Sequence, residues 1–168
     1  MAHAGQVLKI GPMTLTIRRC DAEVLDMVAL YPSGDPLPPE HFHPNQTERF
    51  EVMEGALEVN LEGQRFTLEA TQTLEIGPGQ RHQIWNASQQ EARVRWETWP
   101  PLRTAEFYET LSELTDARGP LHSAPPRLPQ VAVLLAEYDP EIRLTRPARP
   151  LQKLLTGVVA PVGWLLGY

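Results

Sequence analysis

This chain predicts an all-β fold followed by a helical extension, and three observations carry that prediction. Between residues 7 and 99, short stretches alternate apolar and polar side chains with a period of two, the pattern of half-buried strands. Turn residues separate these stretches at near-regular intervals. Beyond Pro100-Pro101 the apolar period lengthens to that of a helix. Many short strands so spaced indicate an antiparallel sandwich or barrel, and periodicity alone reaches no further than that. At 168 residues the chain has the length of one domain with an appendage, enough for an ordinary hydrophobic core.

The elements follow in order. Residues 13–18 and 24–30 alternate. After Gly55, the side chains of Leu57, Val59 and Leu61 alternate with Glu58, Asn60 and Glu62, and Gly63 ends the run. Phe66, Leu68, Leu74 and Ile76 continue the inward set. His82 shares a face with Ile84, and Val94, Trp96 and Thr98 alternate with Arg93, Arg95 and Glu97. The barrel is assigned to residues 1–102 and the extension to 103–168. In the extension, Phe107, Tyr108, Leu111 and Leu114 form a helical stripe opened near Thr104 and closed by Gly119-Pro120. A proline-rich linker leads to Pro129 in a helix-start position, with Val131, Leu134, Leu135 and Tyr138 at amphipathic spacing. Residues 139–150 read as a basic, proline-broken connector carrying Arg143, Arg146 and Arg149.

Composition excludes some functions. The net charge of −6 argues against nucleic acid as a partner, because phosphate contacts need a basic surface. The single cysteine, Cys20, allows no internal disulfide and reads as a small buried or semi-buried residue, with a redox role as the alternative. The start shows no basic segment leading into an apolar run, so a cytoplasmic protein is expected. The uncharged run at 154–168 is 15 residues, short of the about 20 that a spanning helix needs. Its expected fate is packing against the barrel or a second subunit. Interfacial membrane contact, with Arg146, Arg149 and Lys153 near headgroups and Leu154, Val158, Trp164 and Leu165 in the boundary, is the alternative. Because Val158, Val159, Val162, Trp164, Leu165 and Leu166 lie close together, a homodimer is expected.

Chemistry concentrates in two segments. Of five histidines, three stand at His41, His43 and His82. On a strand, His41 and His43 leave from one face, with Phe42 opposite. Glu48 lies an odd number of positions after His43, but the turn residues Pro44-Asn45 reset the register. Glu48, Phe50 and Val52 then share the inward face. Three imidazoles and a carboxylate suit a borderline transition metal. Taken singly, each residue also reads as an ordinary hydrogen-bonded or exposed strand residue.

The stretch from Glu40 to Gly55 resembles the first conserved motif of the cupin superfamily: a glycine, His-x-His, a glutamate, then a glycine. Gly79 to Asn86 is similar to its second motif. The departures fall on turn residues: Gly34 is one place too far from His41, Gly77 stands in the proline position, and Thr71 stands in the leading glycine position. The resemblance covers roughly residues 5–102. It implies a double-stranded β-helix, the jelly-roll barrel of the cupins, with His41, His43, Glu48 and His82 as ligands of a divalent metal ion (Fe, Mn, Zn or Ni). The extension also resembles one found after a subset of small bacterial cupins.

Two functional readings follow. One is a metal-dependent oxygenase or isomerase acting on a small-molecule substrate in a pocket lined by Phe50, Val52, Ile84 and Trp96, which otherwise are plain core. Arg95 and Glu97 supply an anion clamp and a base if their face turns inward; a solvated outer face is the simpler account. The other reading is a non-catalytic cupin that binds metal or a small ligand and engages a partner or membrane surface through its tail.

Overall fold

The computed structural model describes residues 2–116, 128–148, 150, 152–153, 157 and 159–161. In chain order the elements are β1 (Val7–Ile10), β2 (Met13–Cys20), β3 (Leu25–Tyr31), β4 (His41–Phe42), β5 (Thr47–Glu54), β6 (Ala56–Leu61), β7 (Gln64–Glu69), β8 (Thr73–Ile76), β9 (His82–Trp85), β10 (Ala92–Trp99), α1 (Thr104–Asp116), α2 (Leu128–Glu137) and β11 (Arg143–Leu144). They form two antiparallel sheets, of strand order β1-β2-β3-β10-β5-β8 and β11-β4-β9-β6-β7. The arrangement is a jelly roll, as the motif resemblance implies.

Alternation sets which side chains fill the space between the sheets. Leu25, Met27, Ala29 and Tyr31 from β3, Phe50 and Val52 from β5, Leu57 and Val59 from β6, and Val94 and Trp96 from β10 are all buried in one cluster. Each large side chain so buried contributes roughly 1.5–3 kcal/mol. The opposite face of the larger sheet carries a charge ladder. Arg95 grips Asp26 through two hydrogen bonds at 3.2 and 3.1 Å and reaches Glu97 at 2.9 Å, and Arg49 stands 3.5 Å from Glu97. The outer-face account of Arg95 and Glu97 therefore holds.

Turns fall where the sequence places them. Glu62 and Gly63, both at positive φ, form the two-residue turn joining β6 to β7, the hairpin geometry that matches strand twist. Gly55, at φ +78°, ends β5. A Cβ there would lie 2.7 Å from the Glu91 carbonyl oxygen and 2.9 Å from the Ala92 Cα, so only glycine lets these backbones approach.

Two expectations need amendment. Phe66 is not part of the buried set: it is 37% exposed, because β7 is an edge strand and the fourfold run Gln64 to Thr67 is open to solvent. The connector after α2 is also more than a connector. Its Arg143 and Leu144 pair with Phe42 and His41, adding β11 to the edge of the smaller sheet. The helix stop at Gly119-Pro120, Arg149 and most of the apolar run 154–168 lie outside the described residues. Among the described residues, no helix is long and apolar enough to cross a membrane.

Helix α1 packs on β1, where the Ser112 hydroxyl accepts the Lys9 N–H at 3.0 Å and Glu109 accepts the Gln6 amide at 2.9 Å. Its start is held by Gln46, whose amide nitrogen donates to the carbonyls of Pro100 and Pro101 and to the Thr104 hydroxyl. Gln46 lies between His43 and Glu48, so the histidine motif and the helix are joined directly.

Candidate metal centre

The first motif departs from strand geometry at His43. β4 ends at Phe42, a bend occupies Pro44 and Asn45, and β5 begins at Thr47 in the other sheet. That bend delivers Glu48 to the interior, where it is fully buried. β9 supplies His82, which pairs with His41 across the antiparallel β4–β9 ladder. Imidazoles from the smaller sheet thus meet a carboxylate from the larger one. The two motif loops are also tied together, since the Gly79 N–H donates to the His43 carbonyl at 2.8 Å.

The rings of His41 and His82 lie 4.4 Å apart, and His43 stands 5.3 and 5.4 Å from them. One nitrogen of each imidazole falls within 4.8 Å of the other two, so the three form a cluster able to hold a metal ion. Glu48 Oε2 is 3.1 Å from His43 Nε2 and 3.2 Å from His82 Nε2.

Hydrogen bonds set the tautomers. His41 Nδ1 contacts the Pro39 carbonyl at 2.9 Å, His43 Nδ1 the Glu141 carbonyl at 2.7 Å, and His82 Nδ1 the Gln80 carbonyl at 3.0 Å. A carbonyl only accepts, so each Nδ1 carries its proton and donates. The Nε2 atoms are left as the metal-facing nitrogens, and outer hydrogen bonds of this kind commonly orient ligating histidines. The remaining Glu48 oxygen, Oε1, accepts the indole N–H of Trp96 at 3.0 Å.

Two atoms at the centre are buried without a well-formed hydrogen bond, His43 Nε2 and Glu48 Oε2. Buried polar atoms are normally satisfied, and exceptions call for an explanation such as an ion. A divalent ion among these atoms would satisfy both, so the donor set fits one.

The electrostatics are those of a compensated cluster. Burial, reinforced by the neighbouring His82 and His43, presses His41 down to about 3. Burial also opposes charge on His43, but the Glu48 carboxylate beside it and the hydrogen bond to the Glu141 carbonyl outweigh it and raise the group. Burial would raise Glu48, yet His43 and His82 together hold it well below the usual carboxylate range.

Several contributors escaped sequence reasoning. The sequence reads Trp96 as pocket lining or core, and its indole anchors Glu48. Its ring packs on Phe50 at 5.0 Å and against Tyr108 at 5.5 Å. Burial and the Glu48 charge raise the Tyr31 and Tyr108 phenols, which keeps two neutral hydroxyl-bearing side chains in the same interior. Glu141 comes from the extension, and nothing in its local sequence marks it. Phe50, Val52 and Ile84 are buried in the common cluster. Asn86, the last residue of the second motif, organises its loop by donating to the carbonyls of Tyr31 and Gln90 and accepting from the Ser88 N–H.

Comparison with known proteins agrees with this architecture. Residues 27–98 match the family model of the cupin domain, Cupin_2. A segment of 55 residues is 46% identical to polyketide synthase CurC of Streptomyces cyaneus, covering 33% of this chain and 36% of that protein. The match thus spans about a third of the length of the curated relative. KdgF from Halomonas sp. superposes with a TM-score of 0.50 at 16% identity, over 55% of this chain and 84% of that one. A Cupin 2 conserved barrel domain protein from Salinispora arenicola gives 0.49 at 19% identity, over 61% and 88% of the two chains. These structural likenesses are of fold alone. The family match opens in β3 and closes in β10, taking in strands of both sheets and all four motif side chains, so residues 27–98 form a cupin domain, which a helical extension follows.

Proposed function

We propose that this cupin holds one divalent transition metal, Fe, Mn, Zn or Ni, through His41, His43, Glu48 and His82, and acts with it as an oxygenase or isomerase on a small organic substrate. The observation that carries the reading is the cluster of three imidazoles with mutually close nitrogens, each Nδ1 held by a backbone carbonyl, beside a buried carboxylate whose Oε2 lies 3.1 and 3.2 Å from the Nε2 atoms of His43 and His82. A bound ion would supply Lewis-acid polarisation of a substrate oxygen, and iron or manganese would add redox capacity.

The protein's own part is positioning and exclusion of water. Trp96 holds one carboxylate oxygen so that the other faces the imidazoles. Phe50, Val52 and Ile84 close the interior with apolar surface, which strengthens every charge interaction inside. The sequence match to a polyketide synthase polypeptide supports an oxygen-rich, polyketide-type compound as the substrate class, with enolic and catecholic rings as the probes.

One observation favours a second reading, a non-catalytic cupin that binds metal or a small ligand. Arg95 and Glu97, an anion clamp and a base only if their face turned inward, bind each other and Asp26 on the outer face and are not available for those roles. One experiment separates the two. Metal-loaded and chelator-stripped protein are incubated with enolic and catecholic compounds while O2 uptake and isomer formation are followed. Metal-dependent turnover supports the enzyme. Saturable binding without turnover across the panel supports the binding protein.

A further inference from the structure

We infer that residues 138–145, which follow α2, form a positioning strap for the metal site, acting through the hydrogen bond from His43 Nδ1 to the Glu141 carbonyl. The inference rests on the metal reading above. The acceptors for His41 and His82 lie two residues earlier in their own loops, at Pro39 and Gln80. The acceptor for His43 comes from 98 residues away, at 2.7 Å. One member of the cluster is therefore oriented by the extension rather than by the barrel.

The strap is fastened on both sides of the motif. Before it, the Thr145 N–H donates to the Glu40 carbonyl at 3.0 Å and the Thr145 hydroxyl to the Glu40 carboxylate at 2.7 Å. Within it, β11 pairs with His41 and Phe42. After it, the Asn45 amide donates to the Pro140 carbonyl at 3.1 Å. Glu141 itself is buried, and its carboxylate accepts the Arg103 N–H ahead of α1 at 3.1 Å. These contacts leave the Glu141 carbonyl no freedom to drift from the imidazole. Its loss would free the His43 ring to turn and would move Nε2 out of register with Glu48. Outer hydrogen bonds to metal ligands are typically worth about 10–100-fold in metal affinity.

Full-length protein, its Asn45→Ala/Thr145→Pro double variant and its Thr145→Ser variant provide the test. Neither Asn45 nor Thr145 donates to an imidazole in the structure, while the double variant removes every hydrogen bond from Thr145 to Glu40 and the one from Asn45 to Pro140. Two quantities are read: solvent exchange of the three Nδ1 protons by NMR in metal-free protein, and zinc affinity by titration. The strap predicts that only the His43 proton exchanges faster in the double variant, by about tenfold or more, that zinc affinity falls about 10–100-fold, and that Thr145→Ser behaves as the parent. Unchanged His43 exchange and zinc affinity would overturn the strap while leaving the metal reading intact. Equal acceleration at all three imidazoles would also overturn it, by showing general loosening. A parent protein that protects its His43 proton but takes up no zinc would overturn the metal reading, and the strap's role with it.

Discussion

Replacing Gly55 with alanine tests how tightly the strand bearing Glu48 is closed. Gly55 has φ +78°, and an added Cβ would meet the Glu91 carbonyl oxygen at 2.7 Å, the Ala92 Cα at 2.9 Å and the Ala92 Cβ at 3.0 Å. None of these is the end of a flexible side chain, and Ala92 is fully buried at the start of the central strand β10. The left-handed backbone costs an L-residue about 1–2 kcal/mol, and forcing a methyl group into a packed site adds about 1–3 kcal/mol. A loss of about 2–5 kcal/mol follows, large against the roughly 5–15 kcal/mol that holds a domain together. Gly63→Ala is the control: its φ is +81°, but nothing lies within 4 Å of its Cβ, so only the backbone cost of about 1–2 kcal/mol applies. Urea unfolding of both metal-free variants, with unchanged slopes, measures the difference. Equal losses in the two variants would refute the close-approach argument.

Three further outcomes are expected. Trp96→Phe keeps an aromatic ring beside Phe50 and Tyr108 but removes the donor to Glu48, and should lower stability at pH 7 by about 1.5–3 kcal/mol, as for a hydrogen bond to a charged group; urea unfolding showing no loss would refute the anchor. Thr71 adopts φ +72° where the cupin motif has glycine, so Thr71→Gly should raise the thermal midpoint through a gain of about 0.5–1 kcal/mol, and a fall would contradict the strain. Metal binding should compete with protons: His41, held down to about 3, is neutral near neutral pH, whereas the Glu48 carboxylate favours the protonated form of His43, which the metal must displace. Affinity therefore climbs as pH rises through the His43 titration and then levels off; calorimetry in buffers of differing ionisation enthalpy should show proton release on metal binding that shrinks as pH rises, and release that does not change with pH would refute the pairing.

The interior of the jelly roll was legible because its strands announce themselves locally. Leu57 and Val59, or Val94 and Trp96, alternate with charged neighbours, and a buried face demands that order. The inward turn of Glu48 was legible for a subtler reason, since Pro44-Asn45 is turn chemistry that shifts strand parity. Phe66 misled because alternation reports a face, not whether another layer covers it. β11 was invisible: two residues in a basic, proline-broken stretch carry no periodicity, and they become a strand only because the edge of β4 offers them partners. The same holds for the Glu141 carbonyl, which any residue could supply. Thr71 shows the converse, a left-handed turn kept by its surroundings against the preference of the residue in it.

The most direct test of the metal centre is elemental analysis of the protein purified without a metal-affinity tag, alongside its Glu48→Ala and His82→Ala variants. The account predicts about one divalent metal per chain in the parent and a large loss in each variant, because each removes a donor from a small, buried set. A parent without metal, or equal occupancy in all three proteins, would contradict it.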